Sequence, residues 1–312
     1  MRILIVGAGA VGGYFGGRLA QGGRDVTFLV RARRAEEMKA KGLRIVSPYG
    51  DVTLHPKTTT AAQIAAPYDV ILLGVKSYSL SSAMKDFAAA VGPDTMIYPV
   101  LNGMRHMELL AERFGRQSVL GGVCMVATEV DAEGRIRQLT NFQSLIYGEL
   151  DGRVTPRVQK LDETLRGAGF DAAISTDILR DMWQKWVMLA TIGALTCLLR
   201  GNIGEIASIA GGADLSRMAL AECAGIAAAN GYPQATAFLE DLTAKVTAKD
   251  SKMTSSMYRD LTKGAPVEVD TILGDLLERG RKHGLATPIL QAAYVNLSVY
   301  QRGLDRAKSA AS

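Results

Sequence analysis

Cysteine and histidine are scarce in this chain of 312 residues, which has three of each. Cys124, Cys197 and Cys223 lie far apart in the sequence and form no CxxC pair. Because an odd number of widely spaced cysteines suits neither a disulfide framework nor a zinc site, we expect a reducing, cytoplasmic environment and no bound metal.

The chain also lacks a large excess of positive or negative charge and lacks long apolar runs. The formal net charge is +5 and the basic residues are mixed with acidic ones, which argues against a nucleic-acid partner. The longest apolar run, at 186–199, is shorter than the roughly 20 residues that span a bilayer. The glycine spacing of the N-terminal run fits a strand, a turn and a helix better than a signal peptide. We expect neither a targeting segment nor membrane association.

The length and the periodicity of the chain predict two domains. In the first part, strand-like runs alternate with helix-like patterns, which is typical of βαβ units around a mostly parallel sheet. These strands are predicted at 2–6, 26–30, 70–75 and 96–100, the helices at 11–21 and 35–41, and two or three further strands near the sheet edge within 118–129 and 136–148. The later pattern predicts helices at 177–199, 213–230, 235–247, 251–262, 267–283 and 288–303. We therefore predict an α/β Rossmann domain over 1–175, followed by an all-α domain over 176–312.

A glycine-rich segment follows the first predicted strand and opens the first predicted helix. It consists of Gly7, Ala8, Gly9, Ala10, Val11 and Gly12. In this spacing the first glycine permits a tight turn, the second lets the backbone approach a pyrophosphate, and the third lets the helix pack closely on the strand. The helix N-terminus then offers amide donors to the phosphates. The motif predicts a dinucleotide site rather than an ordinary tight turn.

The residues after the second predicted strand indicate which dinucleotide is bound. An NAD site usually carries Asp or Glu there, on the ribose 2′-hydroxyl. This chain has Arg31, Arg33 and Arg34 instead, and guanidinium groups suit a 2′-phosphate. A solvated cluster at the helix start is the alternative, although cations are disfavoured at a helix N-terminus. The sequence favours NADP over NAD.

Lys185 is the best candidate for a proton donor. It lies between Trp183 and Trp186 at the start of a long apolar helix. An ammonium held against apolar surface loses solvation, which lowers its pKa toward a range useful for acid catalysis. The same lysine could instead extend its charged end to water, and periodicity alone does not decide between the two.

Further polar residues lie at positions that suit a site. Ser256 and Asp260 are four residues apart and share a helix face. Glu268 falls in the first turn of the next helix, where a carboxylate is also simply favourable against the helix dipole. Lys76 and Asn102 follow two predicted strands of the parallel sheet, at the edge where ligands bind in such folds.

These motifs together resemble the ketopantoate reductase (2-dehydropantoate 2-reductase) family, in order and over nearly the whole chain. The matching segments are GAGAVGG, Arg31 after the second strand, GVKS with Lys76, LNGM with Asn102, WxKW around Lys185, SSMxxD from Ser255 to Asp260, and VEVD with Glu268. The resemblance implies a Rossmann domain joined to a helical domain, with the active site in the cleft between them.

The resemblance also implies roles for individual residues. Lys185 would protonate the ketone oxygen, and Glu268 would be its companion carboxylate. Asn102 would orient substrate and nicotinamide, Lys76 would contact the cofactor, and Ser256 would bind the substrate's carboxylate end. The implied reaction is NADPH-dependent reduction of 2-dehydropantoate to pantoate, which supplies coenzyme A synthesis. Family members are commonly dimers or monomers, so a homodimer is possible.

The sequence departs from the family at two positions. The family usually has asparagines four and eight residues after the catalytic lysine, where this chain has Leu189 and Gly193. A wall without these amides discriminates less strongly for substrate hydroxyls, so a more apolar or bulkier 2-oxo acid is an alternative substrate. Two other functions are also considered, a related dehydrogenase acting on 3-hydroxy acids or opines and a non-catalytic NADP(H) sensor.

Overall fold

The computed structural model describes residues 1–310. By their internal contacts these residues divide into two units: the first comprises Met1–Leu101 and His106–Met182, and the second comprises Asn102–Arg105 and the chain from Trp183 onward. The division falls inside one helix, and it assigns a four-residue turn from the first half of the sequence to the second unit.

The first unit contains the strands. They are β1 Arg2–Val6, β2 Asp25–Leu29, β3 Leu43–Val46, β4 Val52–Leu54, β5 Lys57–Thr59, β6 Val70–Leu73, β7 Met96–Pro99, β8 Gly121–Val130, β9 Ile136–Gly148 and β10 Asp171–Ile174. The helices of the chain are α1 Ala10–Gln21, α2 Ala32–Lys41, α3 Leu80–Asp86, α4 Arg105–Phe114, α5 Pro156–Leu165, α6 Ile178–Leu199, α7 Ile203–Ser208, α8 Gly212–Ala229, α9 Thr236–Val246, α10 Ser256–Thr262, α11 Asp275–Lys282 and α12 Pro288–Ala310.

Five parallel strands form the first sheet, in the order β5-β2-β1-β6-β7. All four residues of β6 are buried, as expected for a strand covered on both faces. The chain leaves β1 toward β2 on one side, and β6 later adds on the other side of β1. The strand order therefore reverses between β1 and β6, which is where open α/β sheets bind ligands. The predicted Rossmann architecture is confirmed.

Helix α1 packs closely on β1, β2 and β3 at positions where it carries glycine. A Cβ atom at Gly16 would lie 2.7 Å from the ring of Phe28 and 2.8 Å from Ile5, and one at Gly17 would lie 2.6 Å from Ile45. The helix thus buries its backbone against the strands, which fixes the turn at its N-terminus.

The strands predicted near the sheet edge form a second sheet instead. Strands β8 and β9 pair antiparallel, with a register shift between Val126 and Thr128, and β9 also pairs with β3 and β10. A single parallel bridge, Ile97 to Val119, connects this region to the first sheet. The short strands β3, β4 and β10, which the sequence did not predict, complete this second sheet: β3 and β10 pair with β9, and β4 pairs with β3.

The second unit is helical, as predicted. Its helix α6 is longer than the apolar run 186–199 and meets the length and hydropathy of a membrane span, yet 67% of its most apolar stretch is buried inside the protein, as in a core helix. Helix α10 begins at Ser256 rather than at 251, because Ser255 caps it by accepting a hydrogen bond from the Tyr258 amide at 2.9 Å.

Candidate active site

The glycine-rich turn after β1 has the geometry that its spacing predicts. Gly7 has φ +101°, in the region that favours glycine, and a Cβ there would lie 2.9 Å from the Gly74 carbonyl oxygen. A Cβ at Gly12 would overlap the Gly7 carbonyl oxygen, whereas one at Gly9 would meet no other atom of residues 1–310 within 4 Å. Gly9 caps α1 and no side chain caps this helix. The turn is closed toward the protein and open at Gly9, so a phosphate group has space there.

The turn that follows β6 lies against this glycine turn. A Cβ at Gly74 would lie 3.0 Å from the Cα and N atoms of Gly12. Lys76, two residues further on, is half-buried and precedes a short 3₁₀ turn. The first unit thus places Lys76 near the N-terminal end of α1, at the point where the strand order reverses.

The arginines after β2 differ in what they contact. Arg33 and Arg34 both pair with Glu37 on α2, at 3.3 and 3.2 Å. Arg31 is the N-cap residue of α2 and is exposed, and within the described residues its guanidinium has no hydrogen-bond or ion-pair partner. The first turn of α2 carries no acidic side chain. Arg31 is therefore available to an anion.

Lys185 lies on α6 beside two buried tryptophans. Trp183 and Trp186 are 2% and 1% exposed and their ring centroids are 4.9 Å apart. The guanidinium of Arg279 lies over both rings, 5.8 and 5.6 Å from their centroids. Lys185 itself is half-buried. The backbone that carries the lysine is therefore flanked by closely packed, buried aromatic rings.

Asn102 belongs to a turn that packs onto the same part of the second unit. Its neighbour Gly103 has φ +78°, and a Cβ there would overlap the Thr271 carbonyl oxygen and lie 3.9 Å from the indole of Trp186. Only glycine fits this position. The turn carrying Asn102 therefore contacts both the helix of Lys185 and the segment that follows Glu268.

Glu268 is almost completely buried, at 5% exposure. The Glu268 carboxylate is therefore largely removed from solvent. A π-helical turn, Asp270–Gly274, begins two residues later and joins α11 directly. The indole N–H of Trp186 donates to the Ile272 carbonyl in this turn at 2.9 Å. Such π-helical turns often occur at functional sites, and here one hydrogen bond ties the Glu268 segment to the residue after Lys185.

Ser256 and Asp260 lie on α10 and are both half-buried. The neighbouring Ser255 is buried, and its hydroxyl lies 3.0 Å from the hydroxyl of Thr196 on α6. Ser255 therefore ties α10 to α6. The side chain of Ser256, the first residue of the helix, takes no part in this contact between the two hydroxyls.

The two positions that depart from the family pattern lie on the face of α6 that carries Lys185, since four and eight residues separate them from it. Leu189 is half-buried and Gly193 is buried. A Cβ at Gly193 would lie 2.6 Å from the terminal methyl of Met257 on α10. The thioether of Met257 thus fills the space that a side chain at position 193 would need.

The three cysteines are buried, free thiols. Burial raises the pKa of Cys197 to about 11 and that of Cys223 to about 12. Both remain protonated at neutral pH, so neither is an activated nucleophile. Among the described residues, no three His, Cys, Asp or Glu side chains cluster as a metal site would require.

Two features of this arrangement were missed by sequence reasoning. Nothing in the sequence indicated the π-helical turn or the hydrogen bond from Trp186 to it. The packing of Gly103 on Thr271 could have been suspected, because Asn-Gly is a turn signal in which glycine often adopts positive φ. In the sequence, Met257 is noted only as the third residue of the SSMxxD segment.

The sequence matches two family models: ketopantoate reductase PanE/ApbA over residues 3–152, and ketopantoate reductase PanE/ApbA C terminal over residues 177–301. Among curated proteins, an uncharacterized oxidoreductase, YkpB, of Bacillus subtilis (strain 168) is 35% identical over 96% of this chain and 99% of its own length.

Solved structures show the same likeness. A 2-dehydropantoate 2-reductase from Geobacter metallireducens GS-15 superposes with a TM-score of 0.87 at 30% identity, covering 96% of this chain and 99% of that one. A D-mandelate dehydrogenase solved with NADH and anilino(oxo)acetate has the same fold, with a TM-score of 0.87 at 23% identity and coverages of 98% and 99%.

Proposed function

Since the chain belongs to the ketopantoate reductase family, we propose that it reduces a 2-oxo acid to the 2-hydroxy acid with NADPH. As a member of that family it is an oxidoreductase that acts on a CH–OH group and uses a nicotinamide cofactor. The preference for NADPH, the substrate and the roles of individual residues are part of this proposal.

The glycine turn and its neighbours suit the cofactor. Gly9 leaves open space at the N-terminus of α1, where the amides and the helix dipole favour a pyrophosphate. Arg31, which has no partner within the described residues, would bind the 2′-phosphate that distinguishes NADPH from NADH. Lys76 would contact the cofactor from the turn beside Gly12. When bound, the nicotinamide supplies the hydride for the keto carbon.

The second unit carries the residues that would handle the substrate. Lys185 would hold a proton at its Nζ atom and donate it to the ketone oxygen as negative charge develops there. Glu268 would be its companion carboxylate. Asn102 would orient the substrate through its amide, and Ser256 and Asp260 would contact the substrate, Ser256 at its carboxylate end.

The observation that carries this proposal is the packing of the Asn102-Gly103 turn. This turn contacts Trp186, next to Lys185, and Thr271, in the segment after Glu268. Three motifs that are far apart in sequence therefore meet within one unit. If the Asn-Gly segment were an ordinary surface turn and Lys185 simply extended to water, these segments would have no reason to pack together.

The same reasoning assigns roles to the two parts of the chain. We propose that residues 1–175 bind NADP(H) and that residues 176–312 bind the substrate and supply the proton donor. We also propose a cytoplasmic enzyme, and a homodimer that light scattering on the purified protein would detect.

The test is NADPH oxidation against a panel of 2-oxo acids, with 2-dehydropantoate as the reference substrate and the hydroxy-acid product identified by mass spectrometry. Turnover of at least one 2-oxo acid, faster with NADPH than with NADH, supports the proposal. Reduction of NADP+ by 3-hydroxy acids or amino acids, with no 2-oxo acid reduced by NADPH, would favour a different dehydrogenase. Binding of NADPH without oxidation by any acid would favour a sensor.

A further inference from the structure

We infer that the substrate side chain is a hydrocarbon without a hydroxyl group, and that Leu189 and Met257 set this preference. The inference rests on the proposed function, because it concerns the specificity of the same site. It depends on which groups the face of α6 beyond Lys185 offers to a bound molecule.

The side chains one, two and three turns beyond Lys185 offer no free hydrogen-bond donor. Leu189 is a half-buried hydrocarbon, and Gly193 has no side chain. Thr196, three residues further on, is completely buried and donates its hydroxyl to the Ile192 carbonyl at 2.7 Å. The Thr196 proton is therefore already used within its own helix.

The proton of the Ser255 hydroxyl is also used within the protein. It accepts a hydrogen bond from the Tyr258 amide at 2.9 Å, and it lies 3.0 Å from the Thr196 oxygen. Because the Thr196 proton goes to Ile192, the proton between the two hydroxyls is that of Ser255. Neither hydroxyl has a donor left for a substrate.

Met257 closes the remaining space. It is 1% exposed, and its terminal methyl lies 2.6 Å from where a Cβ of residue 193 would stand. A polar side chain could enter at position 193 only if this thioether moved. The face beyond Lys185 is thus apolar from Leu189 to Met257.

An apolar wall of this kind has a defined effect on specificity. A hydroxyl that reaches it loses its hydrogen bonds to water and gains none from the protein, which costs free energy. A hydrophobic pocket discriminates against an added hydroxyl by about 10²-fold, and a site that is built to bind the hydroxyl discriminates in the opposite direction by more. The preferred substrate is therefore a 2-oxo acid with a branched or straight hydrocarbon side chain.

The experiment compares two acids that differ by one hydroxyl, 2-dehydropantoate and 3,3-dimethyl-2-oxobutanoate. We expect kcat/KM with NADPH to be at least about tenfold higher for the acid without the hydroxyl. Leu189→Asn should reduce this ratio by about tenfold, since it places an amide on the wall. Leu198→Asn is the matched control: this leucine is also half-buried on α6, nine residues on and so on the opposite face, and its substitution should leave the ratio unchanged.

Met257→Ala provides a second readout that does not depend on Leu189→Asn folding. Removing the thioether opens space at position 193, so kcat/KM for acids one or two methylenes longer should rise about tenfold relative to the wild type. Met218→Ala, at an exposed methionine of α8, should not change the dependence on chain length.

Each outcome has a distinct consequence. A wild-type preference for 2-dehydropantoate, or a ratio that Leu189→Asn and Leu198→Asn change equally, overturns the inference and leaves the proposed function intact. A chain-length dependence that Met257→Ala leaves unchanged overturns the role of Met257. Failure of every 2-oxo acid to oxidise NADPH overturns the proposed function, and the inference with it.

Discussion

Replacing Gly9 by alanine should weaken nucleotide binding while leaving the fold intact. The added methyl would meet no other atom of residues 1–310 within 4 Å, and the backbone at Gly9, φ −90° and ψ −158°, is accessible to alanine. Alanine is a poorer N-cap than glycine by up to about 1 kcal/mol. Alanine also lowers the conformational entropy of the unfolded chain, which stabilises the folded state by about 0.4–1 kcal/mol. The free energy of unfolding should therefore change by less than about 1 kcal/mol.

The effect on binding should be much larger. The methyl occupies the open side of the turn, where the backbone would approach the pyrophosphate. We expect the Kd for NADPH to rise at least tenfold, which corresponds to about 1.4 kcal/mol. Titration of NADPH fluorescence measures the Kd, and thermal unfolding without nucleotide measures the stability.

Gly12→Ala is the matched comparison, because the same methyl there overlaps the Gly7 carbonyl oxygen. Overpacking of this kind costs about 1–3 kcal/mol, so Tm without nucleotide should fall by several degrees, at about 2–4 °C for each kcal/mol. Wild-type NADPH affinity in Gly9→Ala would refute the assignment of the turn to the nucleotide. A wild-type Tm in Gly12→Ala would refute the close packing of α1.

Three further predictions concern the cofactor, the positioning of Glu268 and the buried thiols. Arg31→Ala should raise the Kd for NADPH about 10–100-fold and that for NADH less than about threefold, because a charge-assisted hydrogen bond is worth about 1.5–3 kcal/mol. Arg33→Ala is the control. Equal losses of affinity for the two nucleotides in Arg31→Ala would contradict the assignment. Trp186→Phe removes the indole hydrogen bond to the Ile272 carbonyl, so urea unfolding should show a loss of about 0.5–1.5 kcal/mol, together with a lower kcat. Unchanged values for both would contradict the positioning role. Because burial raises the pKa of Cys197 to about 11, its thiolate is scarce below that pH, and an alkylating reagent at neutral pH should label it only after unfolding, as mass spectrometry would show.

The parts of the fold that follow from local periodicity were predicted from the sequence. The buried parallel strands, the glycine turn and the long helices of the second unit depend on patterns within a few residues. The second sheet was not predicted, because β3 and β4 are only four and three residues long and β3 pairs with β9, a strand some ninety positions later. Long-range pairing of short strands leaves little trace in a local pattern.

The site was predictable as a set of motifs but not as an arrangement. The Asn-Gly pair suggests a turn at Gly103, but nothing in the sequence identifies Thr271 as its packing partner or indicates that Met257 fills the space beside Gly193. These contacts arise from tertiary packing between elements that are distant in the chain. The sequence could therefore nominate residues, whereas the structure shows which of them meet within the second unit.

The most direct test of the central claim is the kcat of Lys185→Ala with NADPH and the best 2-oxo acid of the panel. If Lys185 donates the proton, kcat should fall by about 10²–10⁴-fold while the Kd for NADPH stays unchanged, and Lys249→Ala, at an exposed lysine of the same unit, should behave as the wild type. A Lys185→Ala enzyme that turns over at the wild-type rate would contradict the account.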